Sequence, residues 1–335
     1  MIQVIVNGLL IGAVYSLIAV GLTMIHGVMK IVNFAQGELL MVGMYTTYVL
    51  YGILMPEGSA PYLLIVPVCI IMFLFGTIVF KATVSHVIGK SETSYIILTI
   101  GISYLLRYGF QMIFGSNYQS IHVSESLKFG SVALGGIVFT TTRLIAFFAA
   151  LIFTVLVHYL LSSTDIGRAM RATSENKTVA TSLGVNTKIV YIVAFGLGTV
   201  FAGVSGLLVT PLYMIYPSVG AVFSTIAMSA MVLGGLGNIR GAMIGGLIIG
   251  VVEALSSTYL TTNVSQIFIN LVLILILIFK PYGLFGKGAR VAGEKLIWSA
   301  VSLERTFCAP SKEVLLPLPY WFCWQYFLIF AATFI

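Results

Sequence analysis

Nine mostly apolar stretches recur along this chain, near positions 2–25, 34–54, 61–80, 94–115, 140–161, 187–210, 220–236, 241–259 and 265–279. Most approach the length of about 20 residues that a helix needs to cross the hydrocarbon core of a bilayer. Polar or breaker-rich segments separate them, at 55–61, 81–93, 116–136 and 162–186, and the last is the most charged. The pattern predicts an all-α, polytopic helical membrane protein of about eight to ten transmembrane helices.

Composition agrees with the pattern. The 335 residues are 59% apolar and 8% charged, against about 25% charge in soluble domains. The spans use more than half of the chain and leave no room for a separate soluble catalytic domain. Residues 1–29 contain no Lys or Arg, whereas a cleavable signal peptide has a basic start, so the first run is expected to be a retained helix. Cys69, Cys308 and Cys323 form no C-x-x-C pair, and neither a disulfide framework nor a cysteine metal site is expected.

Basic residues in short loops stay on the cytoplasmic side. With 162–186 inside, alternation also places Lys30, Lys81, Lys90, Lys188, Arg240, Lys280, Lys287 and Arg290 inside, together with the loop's own Arg168, Arg171 and Lys177. The outer loops keep Lys128, with Arg143 at a helix edge and Arg107 within a span. This sorting predicts an N-terminus outside. It also accounts for the net charge of +7 without a nucleic-acid partner.

Matches to enzyme signatures each lack a required partner. Gly203-Val204-Ser205-Gly206 spells an intramembrane serine-protease motif, but that serine needs a histidine base in a later helix, and His26, His86, His122 and His158 all precede Ser205. Gly235-Leu236-Gly237-Asn238 approaches an intramembrane aspartyl-protease motif, which needs two aspartates, and Asp165 is the only one in the chain. Gly89-Lys90-Ser91 ends like a phosphate-binding loop, yet Val84 occupies the position of its first glycine. No catalytic residue, metal site or cofactor is expected, and the chain is not expected to be an enzyme.

Polar groups within spans are costly and mark functional candidates. Glu38 follows Asn33-Phe34-Ala35-Gln36-Gly37 at what reads as an inner-side helix start, where it suits either a cap or a pathway lining. Glu253 and Arg107 lie at similar depth, about 18–20 Å from the inner face at 1.5 Å per residue, and an ion pair between them is expected. Small residues four apart, Gly198/Ala202/Gly206 and Gly241/Gly245 with the offset Gly246/Gly250, suit close helix packing or a ligand against bare backbone.

The loop 162–186 contains helix formers with a breaker at Gly184, and sparse apolar positions at Met170, Val179 and Leu183. It reads either as a docking segment for a soluble partner or as a solvated connector. At this loop the chain resembles the permeases of ABC importers for branched-chain amino acids, in particular the shorter permease of the pair. The resemblance runs from about Asn7 to Gly286. It rests on Asn7-Gly8 with the segment 12–22, on Ile31-Val32-Asn33-Phe34-Ala35-Gln36-Gly37-Glu38, on the 167–186 loop, and on the segment 234–246 around Gly237-Asn238-Ile239-Arg240-Gly241. The sequence departs from the family at Gln36, commonly His, and at Arg240, commonly Pro, which puts the turn between the seventh and eighth spans in question.

The resemblance implies a multi-pass permease subunit of the cell inner membrane, importing leucine, isoleucine or valine. Its implied partners are a second homologous permease, two ATP-binding subunits that hydrolyse ATP, and an extracytoplasmic solute-binding protein. A pathway lined by Asn7, Asn33, Gln36, Glu38 and Glu253 is expected. ATPase coupling is expected through Arg168, Arg171, Glu175, Ala180 and Gly184, the last two matching the end of the importers' E-A-A-x-x-x-G pattern. Related permeases carry urea, short amides or other amino acids, and a secondary transporter is the competing class. The reading divides the chain into a transmembrane domain at 1–290, with the coupling loop inside it, and an atypical extension at 291–335, an interfacial appendage or the remnant of a neighbouring permease's first helix.

Overall fold

The structure, a computed structural model, describes residues 1–56, 58–121, 130–134, 137–259, 262–280 and 283–286. The 291–335 extension, with Cys308 and Cys323, lies outside the described residues. Eleven α-helices are present among them: α1 (Ile2–Met29), α2 (Gln36–Leu54), α3 (Ile65–Ala82), α4 (Glu92–Phe114), α5 (Thr141–Ser163), α6 (Asp165–Glu175), α7 (Lys177–Ser182), α8 (Thr187–Val209), α9 (Val219–Gly234), α10 (Ile239–Tyr259) and α11 (Thr262–Phe279). Before α5 the chain forms a small antiparallel hairpin, β1 (Ser131–Leu134) with β2 (Ile137–Thr140).

Every one of the nine apolar stretches becomes a helix. Among the described residues seven helical stretches are long and apolar enough to cross a membrane, while α9 and most of α11 form shorter apolar helices. Helix α1 is apolar all round and therefore needs neighbours on every side. Accordingly Leu17, Ile18, Ala19 and Leu22 have no exposed surface. Helices α3, α4 and α5 instead leave Ile70, Leu74, Leu105, Ile152 and Val155 exposed, as lipid-facing helices do.

The small-residue stripes are packing seams. Helix α10 runs antiparallel to α1, with Gly8 against Gly250 and Ala254, Gly12 against Leu247, and Ser16 against Gly246. The other stripe of α10, Gly241 and Gly245, faces Gly234 and Ala230 on α9. A Cβ on Gly8 would lie 2.7 Å from the Gly250 carbonyl oxygen, and one on Gly43 would lie 2.6 Å from the Gly203 Cα. Backbones this close exclude any side chain, which is the close approach that drives helix association in lipid.

Two helices start deep in the bundle. After α1 ends at Lys30, in the left-handed conformation (φ 57°), the chain turns back inward before α2 begins. Gln36 Nε2 donates to the Gly198 carbonyl at 3.1 Å, eleven residues into α8 and thus about 16 Å from its start. The helix start predicted at the inner face is therefore buried well inside the fold. Beside it begins α9: Gly37 N donates to Ser224 Oγ at 2.9 Å, and that hydroxyl donates to the Phe34 carbonyl at 3.2 Å.

The turn between α9 and α10 is held without a proline. Asn238 Oδ1 accepts from Gly241 N at 3.2 Å, and Asn238 Nδ2 donates to the Phe285 carbonyl at 2.8 Å. Arg240 is exposed beside it, so its substitution for the usual proline leaves the turn intact.

Candidate substrate pathway and coupling segment

The expected lining residues separate into two groups. Asn33, Gln36 and Glu38 are buried at the α2 start. Asn33 Oδ1 accepts from Ala35 N at 3.1 Å, and Asn33 Nδ2 donates to Gln36 Oε1 at 3.4 Å. These two side chains hold the re-entering chain in place.

Glu38 meets α4. Arg107 donates through Nε, at 3.1 Å, and through a terminal nitrogen to Glu38 Oε1, which also faces Ser103 Oγ at 3.5 Å. Ser103 and Arg107 are four residues apart and so lie on one face of α4. The other oxygen, Oε2, has no hydrogen-bond partner and packs against Gly220 in the first turn of α9. The carboxylate is therefore in the first turn of α2 and against the first turn of α9, where both helix dipoles favour negative charge.

The expected Arg107–Glu253 ion pair does not form. Similar depth in two helices does not make them neighbours: α4 packs on α2, whereas α10 packs on α1, α9 and α11. Glu253 instead shares a second group with Tyr15, whose hydroxyl faces its carboxyl and lies 3.3 Å from the Tyr213 hydroxyl. Asn7 Oδ1 is buried in the same half of α1 without a hydrogen-bond partner, as is Glu253 Oε2. Sequence reasoning missed Tyr15, Tyr213 and Ser103. For Ser103 a signal existed, since an arginine inside a span requires polar partners.

The candidate coupling loop, 162–186, folds as two capped helices. Thr164 Oγ1 accepts from Gly167 N at 3.2 Å, and Asn176 Oδ1 accepts from Thr178 N and Val179 N at 3.0 and 3.1 Å. Such caps satisfy amides that the first helical turn leaves without partners. Gly184, at φ +85° and with open space where a Cβ would stand, ends the segment.

Its candidate residues play different parts. Arg168 pairs with Asp165 on the surface, and Glu175 and Gly184 are also exposed. Arg171 donates to the Leu161 and Ser162 carbonyls at 3.0 and 3.3 Å, closing the C-terminal end of α5. Ala180 and Met170 are buried, whereas Val179 and Leu183, one turn apart, are 53% and 78% exposed. Among the described residues no group of three His, Cys, Asp or Glu side chains could hold a metal ion.

A bundle of apolar helices, with paired polar groups inside and a capped amphipathic segment between two long helices, defines a multi-pass membrane permease. The chain belongs to the family of permease components of branched-chain amino acid transport systems, whose model matches residues 4–277. It is 33% identical over 302 residues to the high-affinity branched-chain amino acid transport system permease protein LivH of Salmonella typhimurium, covering 85% of this chain and 96% of that one. The LivH protein of Escherichia coli K12 is 32% identical with the same coverage. The related BraD protein of Pseudomonas aeruginosa is 30% identical over 294 residues, covering 85% and 96% of the two chains. No solved structure matches the chain.

Proposed function

We propose that this chain is the membrane-spanning permease subunit of an ABC importer that carries leucine, isoleucine and valine across the cell inner membrane. The observation that carries the reading is the family match over nearly the whole bundle, joined to a coupling-type segment that presents Val179 and Leu183 to solvent among charged residues. Exposed apolar side chains on a polar face mark a surface for a partner.

In this reading the chain pairs with a second, homologous permease and works with two ATP-binding subunits and an extracytoplasmic solute-binding protein. Its N-terminus is outside, and α6 and α7 dock on an ATP-binding subunit. Arg168, Glu175 and Gly184 face that subunit, while Arg171 and Ala180 fasten the segment to the bundle. Docking movements pass to α5 through Arg171 and to the pathway groups through the helices packed on α1. Asn7, Asn33, Gln36, Glu38 and Glu253, with Arg107, Tyr15 and Tyr213, serve the pathway by lining it or by positioning the helices that do. ATP hydrolysis belongs to the partner subunits.

The test is labelled-leucine uptake into vesicles holding this chain with its partners, compared with Gly184→Asp and Glu175→Arg variants that still insert. Uptake that needs ATP and collapses in both variants supports coupling through this segment. Uptake that survives both and follows the proton gradient instead makes the chain a secondary transporter. Competition by urea or acetamide, with none by valine, would move the substrate to short amides.

A further inference from the structure

Threonines inside these helices return their hydroxyls to the carbonyl four residues earlier: Thr47 to Gly43, Thr154 to Ala150, Thr199 to Phe195 and Thr210 to Gly206, all at 2.7–2.9 Å. Thr23 does not. It is completely buried on α1, and its Oγ1 has no partner in the protein. Leaving a buried hydroxyl unsatisfied is costly, so such a group calls for something that completes it.

Thr23 lies on the wall of a cavity of about 230 Å³ at the inner end of the bundle, between α1, α5, α6 and α8. Val20, Met24, Val157, Met170 and Phe201 make the wall mainly apolar. The polar groups gather where α5 meets α6: His158, Ser162, Ser174 and Arg171. Arg171 uses two N–H donors on α5 carbonyls and keeps others of its five for an anion. An apolar chamber with few polar groups is the usual form of a small-molecule site.

The volume narrows the occupant. At about 230 Å³ it exceeds the roughly 150 Å³ cavity that takes benzene with its six carbons, a scale that suits the nine non-hydrogen atoms of leucine. A branched aliphatic side chain matches the wall, and a carboxylate matches Arg171.

We propose that this cavity is a second, cytoplasmic-side site for an apolar amino acid, and that its occupancy restrains the coupling segment. The inference rests on the transport function proposed above and adds a feedback control to it. Met170 and Gly167 of α6 form one wall of the cavity, and α1, α5 and α8 form the others. An occupant joins α6 to the bundle and resists the movement that ATP-driven coupling requires. Free amino acid accumulating inside would slow further import.

Gly27 offers the decisive variant. It lies on the same wall, and a Cβ there would meet only the Gly237 backbone, in ordinary contact at 3.6 Å, so Gly27→Leu adds its bulk at the cavity wall. The experiment uses vesicles holding the full transporter with ATP enclosed, binding protein and labelled leucine outside, and unlabelled leucine enclosed at rising concentration. In the wild type, millimolar enclosed leucine is expected to lower the initial rate about fivefold or more. Gly27→Leu keeps the wild-type rate in leucine-free vesicles and loses this dependence. Thr23→Val, which serves if Gly27→Leu fails to insert, raises the half-inhibiting concentration about fivefold by removing one hydrogen-bonding group.

Enclosed leucine without effect on the wild type, or equal inhibition in wild type and both variants, overturns the proposal. So does a co-purifying phospholipid that disappears in Gly27→Leu while leucine has no effect. If leucine-free wild-type vesicles show no ATP-driven leucine uptake, the transport reading fails on its own. The cavity is then decided by calorimetry of leucine binding to the purified full chain and to Gly27→Leu: binding lost in the variant supports the site, and binding unchanged or absent from the wild type refutes it.

Discussion

Arg107 on α4 reaches across to α2 and donates at 3.1 Å, through Nε, to a carboxylate oxygen of Glu38, a residue with no exposed surface. The two are 69 residues apart in the chain. Their pairing makes each charge tolerable within an apolar bundle, where an isolated ion costs several kcal/mol.

Removing one partner should therefore hurt more than removing both. Glu38→Gln or Arg107→Gln alone is expected to destabilise the purified protein by about 3 kcal/mol, and the double variant by clearly less than the sum. Detergent-unfolding curves for the four proteins form the cycle. Additive losses would show that the pair contributes no coupling.

The glycine seams give a contrast within one residue type. Gly12→Leu sets a side chain against the α10 backbone, where even a Cβ would lie 2.9 Å from the Leu247 Cα. It should lower stability by about 3 kcal/mol or prevent insertion. Gly101→Leu on α4 has nothing within 4 Å and should insert at the wild-type level. Comparing the membrane-inserted yields of the two variants checks the α1–α10 seam.

Asn176 accepts from two amides at the start of α7. Asn176→Ala should loosen that helix by about 1 kcal/mol. Hydrogen exchange at residues 178–183 is expected to speed up while α8 keeps its protection. Unchanged exchange would mean that packing, not the cap, holds α7.

Val179 and Leu183 are the exposed apolar pair of the coupling segment. Val179→Asp and Leu183→Asp should leave insertion and thermal stability near wild type, since neither side chain packs in the bundle. Both should reduce recovery of the ATP-binding subunits with this chain, a loss of about tenfold corresponding to 1.4 kcal/mol of contact energy. Wild-type recovery with both variants would move the docking surface elsewhere.

Much of the architecture was legible before any coordinates. The nine apolar helices follow from hydropathy, because a backbone in lipid must satisfy its own hydrogen bonds and a run of about 20 apolar residues has few alternatives to a helix. The helical loop at 162–186 is visible as charge and helix formers interrupted by Gly184. The small-residue spacing of Gly246 and Gly250 announced a seam, though not that α1 fills it.

The polar interior was read less well, and for one reason. Hydropathy reports how deep a residue lies along its own helix, but a helix that is apolar all round does not say which neighbour each face meets. Arg107 and Glu253 match in depth, which predicts a pair, yet α4 packs on α2, so Glu38 receives the arginine. Residues 33–38 were expected at the inner surface because the first span ends nearby. The turn at Lys30 instead carries them back inside, to Gly198 and Ser224. The sequence by itself determined the apolar helices, the charged helical loop at 162–186 and the family. Only the tertiary structure decided which polar groups meet and where a cavity remains, because both depend on contacts between helices far apart in the chain.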